Sequence, residues 1–283
     1  MAGQDGPISK VSERPPPAPL PLSAAPETAC KICAAVSPLF DVVDFHKICK
    51  ERQGRSLHLS GRPVYYYRCP QCGFLFTRSF DQWQPEDFAK FIYNRDYPAL
   101  DPDYAEARPR ENAAHIQQLF GDRLRGLQLL DFGGGNGRFA AQLREAGCQA
   151  ESFDPFATAV SSSMSGTGRR FDIVTAFEVF EHVADPVACL DAIDRLLAPD
   201  GLLLLSTLVT DGEDGKASIG PRLNWWYAAP RNGHISLHSR HSLTRLLAKA
   251  GLNIASANQS FHMGFRDIPK FADHLIKAAP VSG

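Results

Sequence analysis

The chain has 283 residues, 44% of them hydrophobic and 22% charged, with a formal net charge of −1. That is enough apolar content for one full α/β core with a small appendage; the near-neutral balance argues against a general nucleic-acid surface while leaving room for a local basic patch, and no 18-residue apolar run marks a membrane-spanning helix. Seven cysteines are an odd number and four fall in two C-x-x-C pairs, which points to a reducing compartment, hence a cytoplasmic location, and to metal ligation more than to disulfides.

Residues 1–28 carry Pro15, Pro16, Pro17, Pro19, Pro21 and Pro26 without an apolar h-region, so they read as a disordered Pro-rich tail and not as a signal peptide. A zinc-binding module is expected over residues 29–80. Cys30 and Cys33 form one pair, Cys69 and Cys72 the other; each presents two thiolates from one tight turn, and two such turns complete the tetrahedron that zinc prefers. Residues 34–68 exceed the usual ribbon spacing, so that loop must hold structure of its own, with Cys49 and His46 as spare ligands. Residues 64–67 (VYYY) and 74–77 (FLFT) are rich in strand formers and flank the second pair like the arms of a hairpin. A closed four-thiolate site leaves no open coordination position, so it would hold a fold together and perform no chemistry.

Residues 81–120 read as a helical connecting segment. Residues 85–93 and 104–120 have helical spacing, with Ile116, Leu119 and Phe120 as an apolar stripe. The main domain is expected over residues 121–266, and its opening stretch, 129–138 (LLDFGGGNGR), is the most informative in the chain. An apolar run ends in an acid, and glycines at every second position lead into a helical pattern, which is how an α/β nucleotide fold builds its first strand, turn and helix. A dinucleotide fingerprint needs glycine at positions one, three and six; counting from Gly133, Gly135 is third but Arg138 is sixth. No Lys followed by Ser or Thr is present to grip a triphosphate. Residues 139–146 then read as a helix ended by Gly147, and 149–153 as a second strand with Asp154 at its carboxyl end. Residues 161–170 are Ser- and Gly-rich and too short for helix plus strand, so the next strand of such a fold is expected to be short or missing. Residues 171–177 (FDIVTAF) form a buried strand. Asp185 caps and Pro186 begins a helix, and residues 202–209 (LLLLSTLV) suit a parallel strand covered on both faces. Residues 211–220 read as a polar loop. Ser239 caps another helix, the stretches 253–259 and 261–265 supply two last strands, and 267–283 reads as a C-terminal tail.

Asp131, Gly133, Gly135 and Gly137 together resemble motif I of the class I S-adenosylmethionine-dependent methyltransferases. The resemblance extends through Asp154, through EVFEHV after the 171–177 strand, and through the Pro199-Asp200-Gly201 turn, and within that class it is similar to ubiquinone-pathway-type O-methyltransferases. Similar zinc-knuckle modules precede the catalytic domain in some bacterial members. The resemblance implies a Rossmann-like doubly wound sheet behind the small four-cysteine module. It further implies S-adenosyl-L-methionine as cofactor, held by Asp131, Gly133, Gly135, Gly137, Asp154 and Glu178, with Asp154 on the ribose. The segment before the first strand often folds over the cofactor in this class, which offers Tyr97 or Arg108 to its methionine carboxylate.

Glu178, Glu181 and His182 follow a strand whose carboxyl end faces the ligand crevice of such a sheet. If the chain turns helical there, Glu178 lies one turn from both, and two carboxylates on one turn repel unless a cation or proton sits between them. Three readings stay open for this stretch. A divalent ion such as magnesium is one solution, and the resemblance implies such a metal site on Glu178, Glu181 and His182, with His234 as the later histidine that the same stretch has in the small-RNA 2'-O-methyltransferases it also resembles; alternatively Glu181 and His182 cap the next helix or pair with Arg231; or His182 or His234, beside Glu181, serves as catalytic base, with Trp225, Trp226 and Tyr227 walling the acceptor pocket. The expected partner is a small-molecule methyl acceptor with no membrane involvement. An RNA or protein methyltransferase that uses the zinc module for recognition, and a non-catalytic cofactor-binding protein, are the alternatives.

Overall fold

The computed structural model describes residues 26–154, 168–211, 219–220 and 222–276. Most of the expected tail, the short-strand expectation at 161–170 and the polar loop at 211–220 fall largely outside them. The described part begins earlier than the sequence suggests: β1 (Glu27–Ala29) pairs antiparallel with β2 (Val36–Asp44), so the last residues of the expected tail are a strand. β2 pairs in turn with β3 (Pro63–Arg68), which continues into β4 (Leu75–Thr77) through the second cysteine turn. β3 alternates as a half-buried strand should, Val64 and Tyr66 inward and Tyr65 outward.

Three helices follow. α1 (Pro85–Phe91) starts with proline in its first turn and a capping box between Gln84 and Asp87. α2 (Tyr97–Leu100) is a single turn, and α3 (Ala107–Phe120) buries Ala113, Ile116 and Phe120 at helical spacing.

The main sheet is built from β5 (Gln128–Phe132), β6 (Gln149–Phe153), β7 (Phe171–Phe177) and β8 (Leu197–Ser206), all parallel, followed by β10 (Asn253–Ser256) and β11 (Phe261–Phe265), antiparallel, in the order β10-β11-β8-β7-β5-β6. Among the described residues β6 and β10 are the edge strands. α4 (Arg138–Glu145), α5 (Pro186–Leu196) and α6 (Arg240–Ala248) cover the sheet. Asp185 caps α5 by accepting from Val187 N and Ala188 N, and Ser239 caps α6; each cap stabilises its helix by about 1 kcal/mol. Leu202, Leu203, Leu204 and Leu205 are all fully buried, each burial stabilising the fold by roughly 1.5–3 kcal/mol. The Pro-Asp-Gly turn lies inside β8 at a register shift, since Phe171 faces Leu197 but Ile173 faces Leu202. No helix among the described residues is long and apolar enough to cross a membrane.

The two parts share structure. β9 (Ser236–Leu237), from the main domain, pairs with β4 and becomes the fifth strand of the N-terminal sheet, so the module expected at 29–80 is completed by residues more than 150 positions later. The expected C-terminal tail is also a correction: α7 (Asp273–Ile276) docks on α3 through the ring of His274, bonded to Leu119 O, and Phe271 packs near Phe120.

Candidate active site and cysteine cluster

β5 and β7 lie side by side at the point where the strand order reverses, so the crevice at their carboxyl ends is where a ligand sits in an open α/β sheet. The glycine turn occupies that edge. Gly133, Gly135 and Gly137 have φ of 78°, 54° and 72°, in the left-handed region that side chains with a Cβ resist. Gly133 N and Gly134 N both donate to Phe153 O, tying the turn to the end of β6, and Gly137 becomes the N-cap of α4. Asp154 accepts from Gly135 N at 2.7 Å and so stands at the mouth of the turn. Asp131 sits elsewhere: it is buried below the turn, accepts from Thr175 Oγ1 at 3.0 Å, and burial pushes its carboxyl up to about 7. A Cβ on Gly134 would run into Asp131 and Ser152, so the turn rests directly on these two side chains.

After β7 the chain makes a turn and not a helix. Glu178 takes a left-handed φ of 53°, bonds Ser206 Oγ at 3.0 Å and faces Glu181. Glu181 is fully buried; Tyr227 OH donates to it, and Ile235 N and Ser236 N donate to its backbone carbonyl. Burial, followed by the charge of Glu178, raises the Glu181 carboxyl well above its ordinary range. His182 and His234 are edge to face with centroids 4.9 Å apart. His234 Nδ1 lies 2.8 Å from Tyr227 O, which assigns it as the donor and leaves the Nε2 lone pair available. Burial holds both imidazoles in the neutral form, His182 down at about 4 and His234 well below the ordinary value.

Ligand atoms of Glu181, His182 and His234 come within 4.8 Å of one another, and Glu178 is not part of that group. Of the four expected metal ligands the fold therefore assembles three. Neither Glu181 Oε2 nor His182 Nδ1 makes a hydrogen bond of normal geometry among the described residues, so the cluster has donor capacity to spare. Two imidazole nitrogens and one carboxylate do not match the oxygen shell that magnesium demands. The capping alternative fails as well, because Asp185 caps α5 and Arg231 bonds Ile92 O and Asn94 Oδ1.

Glu178, His182 and His234 open onto a cavity of about 370 Å3 lined by residues from all three parts of the chain. The main domain contributes Glu178, His182, His234, Trp226 and Tyr227, while Trp225 packs behind Tyr227. The connecting segment adds Asp101 and Arg108, joined by two 2.9 Å hydrogen bonds; Tyr97 is buried, its hydroxyl 3.4 Å from Asn232 O. The N-terminal module adds Cys49, Lys50, Arg52 and Arg55 from a short 3-10 turn, Cys49–Gln53, and the residues after it. Cys49 is thus no zinc ligand in waiting: its Sγ is 3.6 Å from His234 Nδ1, and His46 pairs with the backbone of His58. No local pattern in the sequence marks Arg52, Arg55, Thr175, Ser152 or Ser206, which reach their places through long-range packing.

The four remaining cysteines do converge. Sγ atoms of Cys30 and Cys72 are 3.7 Å apart, Cys33 and Cys69 3.4 Å, and Cys33 and Cys72 3.7 Å, against about 3.8 Å between ligands of a tetrahedral zinc thiolate. The two turns are built alike. Ile32 N and Cys72 N each point at the first sulfur of their own pair, and Ala34 and Gly73 follow the pairs at φ of 61° and 74°. The hydrogen bond between Cys30 and Cys72 lowers the Cys30 thiol and raises that of Cys72, as expected of two sulfurs sharing one proton. The donor set fits zinc.

Sheet order, glycine turn and the acids at the strand ends define a class I, Rossmann-like methyltransferase fold. The methyltransferase domain family matches residues 104–257, and the chain belongs to that family. Among curated relatives, a ubiquinone biosynthesis O-methyltransferase of Cereibacter sphaeroides is 33% identical over 103 residues, covering 29% of this chain and 42% of the relative. One of the same description from Dinoroseobacter shibae is 30% identical over 153 residues, covering 45% of this chain and 60% of the relative. The chain thus spans less than two thirds of these relatives' length. Among solved structures, an O-methyltransferase family protein from Burkholderia thailandensis superposes with a TM-score of 0.47 at 17% identity, covering 66% of this chain and 64% of that one.

Proposed function

We propose that the chain transfers a methyl group from S-adenosylmethionine to an oxygen or nitrogen of a small-molecule acceptor. The observation that carries this reading is the left-handed glycine turn sharing one sheet edge with a buried, neutral His-Glu-Tyr cluster beside a walled cavity. Gly133, Gly135 and Gly137 would let backbone approach the cofactor, Asp154 would take its ribose hydroxyls, and Asp131 would support the turn from beneath through Thr175. Arg108 and Glu178, which line the cavity, would hold the cofactor's amino-acid end. When bound, the cofactor supplies an electrophilic methyl on a sulfonium.

His234 is the base. Its Nε2 lone pair, set by the Nδ1 bond to Tyr227 O, would take the proton of the acceptor hydroxyl or amine as that atom bonds to the methyl carbon and the carbon–sulfur bond breaks, the sulfur leaving as a neutral thioether. Glu181, with Tyr227, holds the histidine pair in place, and the cavity positions the acceptor, from which most of the rate gain comes. His182 is a positioning partner for His234. A structural zinc on Cys30, Cys33, Cys69 and Cys72 would fasten the N-terminal sheet, whose 3-10 turn closes the cavity; a module turned into the pocket in this way favours a small acceptor over a polymer. The cysteine-ligated metal suits a reducing, cytoplasmic setting.

The test is incubation of the purified chain with methyl-labelled S-adenosylmethionine and a fractionated metabolite extract. A labelled small molecule, absent with His234→Ala, supports the reading. Cofactor binding without label transfer to any fraction would make the chain a cofactor-binding protein instead.

A further inference from the structure

The cavity has an uneven charge distribution that methyl transfer alone does not require. Four cations line it, Lys50, Arg52, Arg55 and Arg108, against Asp101, Asp103 and Glu178. Arg108 is spent on Asp101 through two hydrogen bonds. Glu178 has its carboxyl pushed up by burial. Lys50 is held by Ala99 O at 2.8 Å. Arg52 and Arg55 have no ion-pair partner among the described residues and stand at the mouth of the cavity.

Their placement is built and not incidental. The 3-10 turn that carries Arg52 ends at Gly54, whose φ of 74° reverses the chain and brings Arg55 alongside. The turn is pinned to the main domain at three points: Cys49 N donates to Asn232 Oδ1 at 2.9 Å, and Lys47 Nζ donates to Trp225 O and Ala228 O at 2.7 and 2.8 Å. Lys47 is largely buried, and burial lowers its pKa, so this anchoring spends a desolvated ammonium on two backbone carbonyls. The Arg52 guanidinium carbon sits over Trp226, 3.9 Å from its ring centre, and Trp226 is itself a wall of the cavity. A guanidinium stacked on its face keeps its N–H edge free, and that edge is a planar fork matched to carboxylate or phosphate oxygens.

We infer that the methyl acceptor bears an anionic group, carboxylate or phosphate, which Arg52 and Arg55 bind at the cavity mouth. The inference rests on the methyl-transfer reading for the word acceptor, but the anion site stands on its own geometry. It makes the N-terminal module a source of substrate specificity as well as of stability.

The test uses the full zinc-loaded chain, with and without S-adenosylhomocysteine, titrated with benzoate, phenyl phosphate and neutral benzyl alcohol. Tryptophan emission reports the Arg52–Trp226 stack, and calorimetry gives affinities. The expected result is binding of at least one anion at least tenfold tighter than the alcohol. That preference should be lost in Arg52→Gln/Arg55→Gln, while homocysteine-derivative binding stays within twofold of wild type. The preferred anion assigns carboxylate or phosphate. Equal affinity for the alcohol, no anion binding, or unchanged anion binding in the double variant overturns the inference and leaves methyl transfer standing. Anion binding in a chain that takes no S-adenosylhomocysteine keeps the anion site and overturns the methyl-transfer reading.

Discussion

Gly134→Ala separates two ways of thinking about the glycine turn. Gly134 is the one glycine of the run outside the left-handed region, so backbone preference alone makes alanine harmless there, and even slightly favourable by about 0.4–1 kcal/mol through the unfolded chain. The packing says otherwise. An alanine Cβ would stand 2.8 Å from Asp131 Cγ, with Asp131 Oδ2 and Ser152 Oγ closer still, whereas carbon atoms in contact prefer about 3.5–4.0 Å. Relief requires moving Asp131 by roughly 1 Å, away from Thr175 Oγ1, its hydrogen-bond donor in a fully buried site. Overpacking costs about 1–3 kcal/mol, and a buried carboxyl that loses its partner about as much again, so a net loss of about 2–4 kcal/mol is expected. For a domain of this size that is a fall of roughly 4–16 °C in Tm. Gly135→Ala is the comparison: its Cβ meets nothing within 4 Å, and the φ of 54° alone costs about 1–2 kcal/mol. Melting followed by circular dichroism should therefore rank Gly134→Ala below Gly135→Ala. Wild-type melting of Gly134→Ala, or the reverse ranking, would refute the account of Asp131 as the support of the turn.

Other expectations can be checked on the same protein. His238 is fully buried between Phe74 and Phe180, with neither ring nitrogen in a hydrogen bond of normal geometry, and burial holds its pKa down at about 3. Below about pH 6.5 the unfolded chain takes up a proton that the folded chain refuses, so this histidine costs stability as pH falls; relative to wild type, His238→Phe should gain about 2 kcal/mol between pH 6.5 and pH 5, and a pH-independent difference in urea midpoints would contradict it. His234→Ala should lower kcat by about 10²–10⁴ with the fold intact, and Glu181→Gln should also reduce it by disturbing the pair beside Tyr227; full turnover in both would remove the base from this site. Metal analysis should return about one zinc per chain, and Cys69→Ser should lose it along with the N-terminal sheet while the main sheet survives; a metal-free chain of unchanged Tm would dismiss the zinc.

What was legible in the sequence was local. Residues 149–153 and 171–177 are strands with those bounds: the second is a run of mostly apolar β-formers after a charged pair, and the first, QAESF, is marked by Gly147 before it and Asp154 after it. The two cysteine pairs and the alternating glycines were readable because their spacing is itself the geometry. What escaped depends on distant partners. β2 has Pro38 and a mixed polar pattern and becomes a strand only by lying between β1 and β3. β9 is two residues long and exists because β4 offers an edge. Glu178 has no sequence mark of a left-handed turn; its φ of 53° breaks the helical register expected for residues 178–182 and brings its carboxyl to Ser206, beside Glu181 but outside the three-residue ligand group. The 3-10 turn at Cys49–Gln53 enters the cavity through Lys47 and Asn232, which lie far apart along the chain.

The central claim is that the glycine turn holds the cofactor, and calorimetric titration of the zinc-loaded chain with S-adenosylmethionine addresses it most directly. Gly135 is the position to vary, since its Cβ would project into open space at the turn where the ligand must come, beside the Asp154 carboxylate. Wild type should bind one equivalent, and Gly135→Val should lose at least tenfold in affinity while remaining folded by circular dichroism. Undiminished affinity in Gly135→Val, or no binding to wild type, would contradict the account.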